Sequence, residues 1–320
     1  MRVAILDDYQ NVALTMADWS KIEEAADITV FNDHIDNPDA VAERLAPFDV
    51  IAIMRERTPF PSELIKRLPN LKLLVTAGMR NLGIDLDAAT ERGVVVSGTE
   101  NVGVTTAELA WGLILGLARR IPEEDRATRA GHWQTSVGVS VADKTLGIIG
   151  LGKVGGHVAK IGLAFGMNVI AWSQNLTPER CAELGVHLAT KEDLFATSDF
   201  ISIHLVLSDR TRGLVGREEL ALMKPSAYLV NTARGPIVQQ DALIEALVTG
   251  AIGGAGIDVY NSEPLAVDHP MRSLPRSIIT PHLGFVTDTN YKLWYGQIVE
   301  DIEAWTAGKP LRVLNPAVVG

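Results

Sequence analysis

Three glycines stand at positions 150, 152 and 155 in the sequence GLGKVG, which follows an apolar run directly and opens a helix-like segment. Without side chains at Gly150 and Gly152 the backbone can turn tightly and approach a pyrophosphate, which would sit on the N–H groups at the start of the helix. Gly155 completes the G-x-G-x-x-G pattern in the strand–loop–helix context that the fingerprint requires. This spacing predicts binding of a dinucleotide.

The end of the next apolar run, NVIAW at residues 168–172, bears on which dinucleotide is bound. NAD sites usually carry an Asp or Glu there for the ribose hydroxyls, and NADP sites an Arg for the 2′-phosphate. Here Ser173 follows the run, no acid stands beside it, and the nearest basic residue is Arg180. Because no basic cluster is present, we predict NAD as the cofactor and leave NADP open.

Residues that could contact a ligand, several of them charged or polar, follow the other apolar runs as well. In open α/β sheets ligands bind outside the carboxyl ends of the strands, so these residues are expected to line a cleft. An Arg, a Glu and a His in such a cleft would supply an anion anchor, a carboxylate partner and a proton shuttle. The candidates are Arg55; Gly78, Met79 and Arg80; Thr232, Ala233 and Arg234; Asp258 and Glu263; and His282.

The elements that must position these residues form two series of short Val- and Ile-rich runs, separated by helix-length segments. One series precedes residue 99 and the other follows residue 143. Near-continuous apolar strands that alternate with helices predict parallel sheets covered on both faces, hence two doubly wound α/β domains. The runs are 3–6, 28–31, 49–54, 71–77 and 94–97, then 145–150, 168–172, 200–205, 227–233, 254–260 and 277–280.

Two further segments have helical patterns. Residues 105–120, TTAELAWGLILGLARR, are too apolar for an exposed helix and are predicted to be buried. Residues 290–308 carry apolar side chains at helical spacing, with Gly308 after the last turn, and predict a helix with one buried stripe.

Composition excludes several classes of protein. The 320 residues are 47% hydrophobic and 21% charged, typical of a globular protein, and the net charge of −10 argues against nucleic-acid and anionic-membrane binding. No apolar run approaches the roughly 20 residues of a membrane-spanning helix. The single cysteine, Cys181, cannot form an intramolecular disulfide, and no His or Cys pairs have metal-ligand spacing. We expect a cytoplasmic protein without a metal.

Four ordered motifs resemble the D-isomer-specific 2-hydroxyacid dehydrogenases, a family that includes phosphoglycerate dehydrogenase and glyoxylate/hydroxypyruvate reductase. They are GIIGLGKVG, LVNTARGPIVQQDALIEAL, GAGIDVYNSEPL and TPHLG. The resemblance implies a Rossmann NAD(P)-binding domain, residues 100–285, inserted into a flavodoxin-like substrate domain formed by residues 1–99 and 286–320. It also implies a homodimer.

The resemblance assigns three catalytic roles. Arg234, in Asn231-Thr232-Ala233-Arg234-Gly235, matches the arginine that binds the substrate carboxylate and carbonyl. His282 matches the histidine that transfers a proton to and from the substrate oxygen. Glu263 matches the acid that fixes the tautomer of that histidine and stabilises its protonated form.

The same resemblance assigns cofactor and substrate contacts. Asp258 corresponds to an aspartate near the nicotinamide, and Arg55 to a position near the substrate. The family's glycine-rich substrate loop is here GMRNLGID, residues 78–85, in which Arg80 adds a guanidinium that could narrow the site or pair with a second anionic group. The further cofactor contacts predicted are Lys153 and Val154 at the pyrophosphate, Ser173 at the ribose, Leu207 on the adenosine side, and Thr232 and Ala233.

The function implied is hydride transfer between NAD(P)(H) and a small D-2-hydroxy acid or its 2-oxo acid, such as glyoxylate or hydroxypyruvate. The alternative is a nucleotide-sensing corepressor or scaffold that keeps the fold, which would have no use for Arg234, Glu263 and His282 together. A formate dehydrogenase is disfavoured because such relatives carry Gln where Glu263 stands. Substrate side chain, direction and cofactor preference stay open.

Overall fold

The computed structural model describes residues 1–319, which form two compact units. Unit 1 contains residues 1–102 and the described residues from 287 onward, and unit 2 contains Gly103–Val286. Each unit is built on one sheet whose paired strands are all parallel. No helix in this part of the chain is long and apolar enough to cross a membrane.

The sheet of unit 1 has five strands in the order β2-β1-β3-β4-β5. This is the flavodoxin-like order, so the predicted fold of this part is confirmed. The strands are β1 (Arg2–Ile5), β2 (Asp27–Val30), β3 (Val50–Ile53), β4 (Leu73–Thr76) and β5 (Val95–Gly98).

The sheet of unit 2 has seven strands in the order β12-β11-β10-β9-β6-β7-β8. Its first six strands along the chain follow the Rossmann order, with the point of reversal between β6 and β9, and the predicted Rossmann fold is confirmed. The strands are β6 (Thr145–Ile149), β7 (Asn168–Trp172), β8 (His187–Leu188), β9 (Phe200–Ile203), β10 (Tyr228–Asn231), β11 (Gly254–Ile257) and β12 (Ser277–Ile279).

Thirteen α-helices connect and cover the strands of the described chain. Helices α1 to α5 and α13 belong to unit 1, and α6 to α12 to unit 2. They are α1 (Ala13–Met16), α2 (Ser20–Glu23), α3 (Pro38–Leu45), α4 (Ser62–Lys66), α5 (Leu86–Glu91), α6 (Thr105–Arg119), α7 (Ile121–Arg129), α8 (Lys153–Ala164), α9 (Pro178–Glu183), α10 (Lys191–Thr197), α11 (Arg217–Leu222), α12 (Gln240–Thr249) and α13 (Asp288–Thr306).

The apolar strands of unit 2 supply two separate cores. Phe200 in β9 belongs to one buried cluster and its neighbour Ile201 to the other, and Val230 and Leu229 in β10 divide in the same way. Successive side chains of a strand point to opposite faces, so a run without polar interruptions buries both faces. This is why the sequence lacks a polar–apolar alternation.

Several predicted strands end earlier in the structure, because their last residues turn away from the sheet. The run 227–233 includes Ala233, but β10 ends at Asn231, whose side-chain Oδ1 accepts a hydrogen bond from the Ala233 N–H at 3.0 Å. The run 254–260 likewise extends beyond Ile257, the last residue of β11. Strand β8 was not predicted, since it has only two residues and both are exposed.

The two predicted helices are both present. Helix α6 is buried along most of its length and ends at Arg119, with Arg120 in the left-handed conformation before α7 begins. Helix α13 begins two residues before the predicted start at 290. The chain after α13 pairs with β5, and Asn315 donates to the Val94 carbonyl at 2.9 Å. This segment covers the edge of the unit 1 sheet.

Candidate active site

The three predicted catalytic residues follow three neighbouring strands of unit 2. Arg234 follows β10, Glu263 lies in the loop after β11, and His282 follows β12. Because these strands are parallel and adjacent, their carboxyl ends meet at one edge of the sheet. The topology therefore brings an arginine, a carboxylate and a histidine to the same edge.

Glu263 and His282 form a hydrogen-bonded pair. The Glu263 Oε2 atom lies 2.6 Å from His282 Nδ1, while its Oε1 accepts the Tyr260 N–H at 2.8 Å. With both oxygens engaged, the carboxylate is fixed, and it holds the proton of a neutral imidazole on Nδ1. His282 Nε2 is then the nitrogen that can exchange a proton with a ligand.

The segment that carries His282 is held in place by Asp258. Its fully buried carboxylate accepts hydrogen bonds from Thr280 Oγ1 at 2.6 Å, the Leu283 N–H at 2.7 Å and the Gly284 N–H at 2.9 Å. Burial raises the pKa of Asp258, and these donors oppose that effect. Asp258 thus fixes the loop around His282 from inside the protein, and its contact with a cofactor stays a prediction.

The loop of Arg234 packs against the loop that leads to Glu263. Asn231 Nδ2 donates to the Arg234 carbonyl at 3.0 Å, and the Arg234 guanidinium donates to the Ala233 carbonyl at 2.8 Å. A side chain at Gly235 would overlap the Tyr260 carbonyl carbon, so only glycine allows this approach. The pattern N-x-x-R-G is therefore explained by contacts within unit 2.

The glycine loop has the shape that a pyrophosphate requires. Gly150 has a φ of 98°, and a Cβ there would lie 2.8 Å from the His204 carbonyl oxygen. A Cβ at Gly155 would overlap the Gly150 carbonyl, which shows how closely α8 approaches β6. By contrast, nothing lies within 4 Å of a Cβ at Gly152, immediately before α8. The loop fits a dinucleotide: Gly150 makes the turn, Gly155 lets α8 approach β6, and Gly152 leaves open space at the helix N-terminus.

The remaining predicted cofactor contacts lie around this loop or after neighbouring strands. The exposed Lys153 begins α8, and its side chain lies over Gly103. Ser173 follows β7 and is half-buried, and Leu207 follows β9 and packs against the unit 2 core. Thr232 Oγ1 is buried, with no hydrogen-bond partner among residues 1–319. Val154 is half-buried in the first turn of α8.

Unit 1 holds the predicted substrate residues at the carboxyl ends of β3 and β4. A Cβ at Gly78, whose φ is 92°, would overlap the Arg55 guanidinium, so the arginine lies directly over the glycine. The Gly78 N–H donates to Thr99 Oγ1 at 2.8 Å. Met79 and Arg80 follow as exposed residues. The structure thus brings Arg55 and the 78–80 loop together within this unit.

The residues that hold these loops in place were not predicted from the sequence. Tyr260 fixes Glu263, Thr280 fixes Asp258, and Asn81 donates to the Arg55 carbonyl at 2.7 Å and to Thr76 Oγ1 at 2.9 Å. An asparagine in a glycine-rich turn was a usable signal for Asn81. Tyr260 acts through its backbone, which leaves no trace in the sequence.

His204 lies near the glycine loop but is not poised for acid–base chemistry. Its Nε2 is 2.8 Å from Ser202 Oγ, and burial lowers its pKa to about 3. The imidazole is neutral at physiological pH, as expected of a structural histidine. Within residues 1–319, no group of three or more His, Cys, Asp or Glu side chains is arranged to hold a metal ion.

The chain is similar to proteins of one known family. Residues 111–284 match the model of the D-isomer specific 2-hydroxyacid dehydrogenase, NAD binding domain. A glyoxylate reductase of Aeropyrum pernix is 39% identical over 268 residues, covering 80% of each chain. A glyoxylate reductase of Korarchaeum cryptofilum is 33% identical over 309 residues, covering 94% of this chain and 93% of the relative.

A solved structure extends the similarity to the fold of nearly the entire chain. The phosphoglycerate oxidoreductase of Vibrio cholerae superposes with a TM-score of 0.91 at 37% identity, over 96% of this chain and 99% of that one. The chain therefore belongs to the D-isomer-specific 2-hydroxyacid dehydrogenase family, as an oxidoreductase that uses NAD(P) to interconvert 2-hydroxy and 2-oxo acids.

Proposed function

We propose that the protein interconverts small 2-oxo acids, such as glyoxylate or hydroxypyruvate, and the corresponding D-2-hydroxy acids. The observation that carries this proposal is the fixed pair of Glu263 and His282 at the sheet edge that also presents Arg234. A corepressor or scaffold would need none of this arrangement. The glyoxylate reductases among its relatives support the choice of substrate.

Arg234 is the proposed anchor for the substrate carboxylate and carbonyl. Its guanidinium is planar and can bind two oxygens at once, which orients a 2-oxo acid as well as holding it. Asn231 and Gly235 fix the backbone on either side. Arg55, Gly78 and Met79 of unit 1 are proposed as further substrate-binding residues.

His282 is the proposed acid and base. During reduction its Nε2 gives a proton to the oxygen that becomes the hydroxyl, and during oxidation it takes that proton back. Glu263 holds Nδ1 through the 2.6 Å contact, which keeps Nε2 directed at the reacting oxygen and stabilises the imidazolium. NAD(H), when bound, supplies or accepts the hydride at the substrate C2.

NAD is the proposed cofactor in preference to NADP. Gly150, Gly152 and Lys153 would hold the pyrophosphate, Ser173 the ribose, and Asp258, Thr232 and Ala233 the nicotinamide end. Arg180, the nearest candidate for a 2′-phosphate, donates to Glu183 Oε2 at 2.8 Å. A guanidinium already paired with a carboxylate would have to leave that partner to bind a phosphate.

We also propose a cytoplasmic homodimer. Helix α7 has no buried residue, and the segment after it exposes Trp133 and Val137, with relative exposures of 78% and 93%. Such apolar exposure is typical of an interaction surface. Light scattering should give twice the 34.6 kDa mass of the chain, and Trp133→Glu should give the monomer.

The lone cysteine, which is buried and free, is consistent with a reducing compartment.

The function is tested by following NADH and NADPH oxidation with glyoxylate, hydroxypyruvate and pyruvate. Activity with at least one acid is expected. His282→Ala should lower kcat by roughly 10²–10⁴-fold, the usual contribution of a general acid–base. Arg234→Ala should chiefly weaken substrate binding. Cofactor binding with no turnover of any acid, together with a protein partner, would favour the scaffold alternative.

A further inference from the structure

The turn that carries His282 has an uncommon backbone conformation. His282 has a φ of 55°, in the left-handed region that few residues other than glycine adopt. Pro281, just before it, has no N–H to donate. The His282 backbone nitrogen lies 2.8 Å from the Asp258 carbonyl oxygen and 3.1 Å from the Thr280 carbonyl oxygen. The direction of the imidazole therefore depends on how firmly the rest of unit 2 holds Thr280 and Asp258.

The phenol of Tyr260 holds the Thr280 carbonyl. In addition to the backbone contact that fixes Glu263, Tyr260 donates its O–H to the Thr280 carbonyl oxygen at 2.9 Å. The Ile257 carbonyl oxygen lies farther from the phenol oxygen, at 3.3 Å. Because a phenol has one proton to donate, the closer carbonyl is its acceptor. The side chain of Tyr260 is thus tied to the residue two positions before His282.

This phenol is a fixed and permanent donor. The Tyr260 ring is buried in the unit 2 core, in one cluster with Ile257 and Met271. Burial raises the pKa of the Tyr260 phenol, and the negative charges of Asp258 and Glu263 act in the same direction. The phenol therefore keeps its proton in neutral solution and donates it to the Thr280 carbonyl.

Tyr260 contacts all three loops that carry the proposed catalytic residues. Its N–H donates to Glu263, its carbonyl packs against Gly235 in the loop after β10, and its phenol donates to Thr280 in the segment before His282. Of these contacts, only the last requires a tyrosine. A phenylalanine would keep the backbone contacts and the buried ring but would leave the Thr280 carbonyl without this donor.

We propose that the Tyr260 phenol is a positioning group for proton transfer by His282. This inference rests on the proposed function, in which His282 Nε2 exchanges a proton with the substrate oxygen. By holding the Thr280 carbonyl, the phenol keeps the turn in the conformation in which Nδ1 meets Glu263. Without it, the imidazole is correctly oriented for a smaller fraction of the time, so the reaction slows. The anchoring of the substrate by Arg234 is not affected.

The test is Tyr260→Phe, which removes one oxygen atom. The rate of NADH oxidation in a single turnover should fall about tenfold, as expected for loss of one hydrogen bond at a positioned group. The KM for the 2-oxo acid and the Kd for NADH should change by less than about twofold. Tyr228→Phe is the matched control, since the phenol of Tyr228 in β10 makes no hydrogen bond within residues 1–319. It should leave the rate unchanged.

A second comparison asks whether Tyr260 acts through His282. In His282→Ala no imidazole remains to be oriented, so adding Tyr260→Phe should lower the rate further by less than about twofold. An equal, roughly tenfold effect in both backgrounds would mean that the phenol acts elsewhere, and it would overturn the inference. A raised KM with an unchanged single-turnover rate in Tyr260→Phe would overturn it too.

The outcomes separate this inference from the proposed function. If no 2-oxo acid supports cofactor oxidation by the unaltered protein, the proposed function is wrong and the inference falls with it. If an acid is turned over but Tyr260→Phe keeps the rate of the unaltered protein, the enzyme assignment stands and the role of Tyr260 is overturned.

Discussion

At the scale of single residues, the site depends on side chains that hold other side chains. Glu263 divides its two oxygens between His282 Nδ1 and the Tyr260 N–H, and Asp258 ties the His282 loop together with three accepted hydrogen bonds. Groups fixed in this way do not have to be reoriented when the reaction begins. The chemistry proposed for His282 therefore rests on carboxylates that need not touch the substrate.

Replacing Glu263 by Gln tests this dependence. The amide keeps the shape but loses the negative charge that stabilises an imidazolium, so kcat should fall by about 10²-fold while NADH affinity changes little. The pH profile of kcat should shift as well, which a purely structural role would not produce. Glu218→Gln, on the exposed start of α11, is a suitable control. Unaltered kcat and pH profile in Glu263→Gln would contradict the proposed pair.

At the scale of elements, apolar runs revealed the strands but not where they end. Strands β6 and β7 could be placed from their Val and Ile content, whereas β10 stops early because the Asn231 side chain accepts the Ala233 N–H. An apolar run does not show which polar side chain will accept a backbone N–H and end the strand. The same limit applies to the site. Gly150 and His282 lie in sequence motifs and could be predicted, whereas the hydrogen bonds of Tyr260 and Thr99 could be found only from the structure.

The turn between β6 and α8 gives an element-scale prediction. Gly152→Ala places a methyl group in open space, so the melting temperature should stay nearly unchanged, but the methyl group would obstruct a pyrophosphate and raise the Kd for NADH by tenfold or more. Gly155→Ala would push α8 away from β6 and destabilise the fold by about 1–3 kcal/mol. Calorimetry and NADH fluorescence titration distinguish the two. Equal effects of both variants on melting and on binding would disagree with this geometry.

At the scale of the whole molecule, a buried acid in α13 makes the stability of the fold depend on pH. Asp301 in α13 is fully buried; its Oδ1 accepts from Arg312 Nε at 3.1 Å, and Oδ2 has no hydrogen-bond partner among the described residues. Burial raises its pKa to about 7, although Arg312 opposes this effect. The fold therefore favours the protonated acid.

This raised pKa predicts a pH dependence of stability. The unfolded chain releases the Asp301 proton near pH 4 and the folded chain near pH 7, so the contribution of Asp301 to the free energy of unfolding is greatest below about pH 4 and declines until about pH 7. The total decline should be on the order of a few kcal/mol. Denaturation of Asp301→Asn should lack this decline. Glu300, an exposed neighbour, also contacts Arg312, and Glu300→Gln should retain the decline in stability. If the free energy of unfolding depends on pH in the same way in the unaltered protein and in Asp301→Asn, Asp301 is not its source.

Unit 1 is formed by two segments of the chain, one before and one after unit 2. This arrangement affects the order in which the two units can fold during synthesis. Residues 1–102 leave the ribosome first, but α13 and the segment that covers β5 emerge only after all of unit 2. At about 5–20 residues per second this interval lasts roughly ten to forty seconds. Throughout it, the surface that Trp294 and Tyr295 finally bury stays uncovered on the nascent chain, whereas unit 2 has all its strands in one continuous stretch. Unit 1 is thus expected to complete its folding only after all of unit 2 has been synthesised.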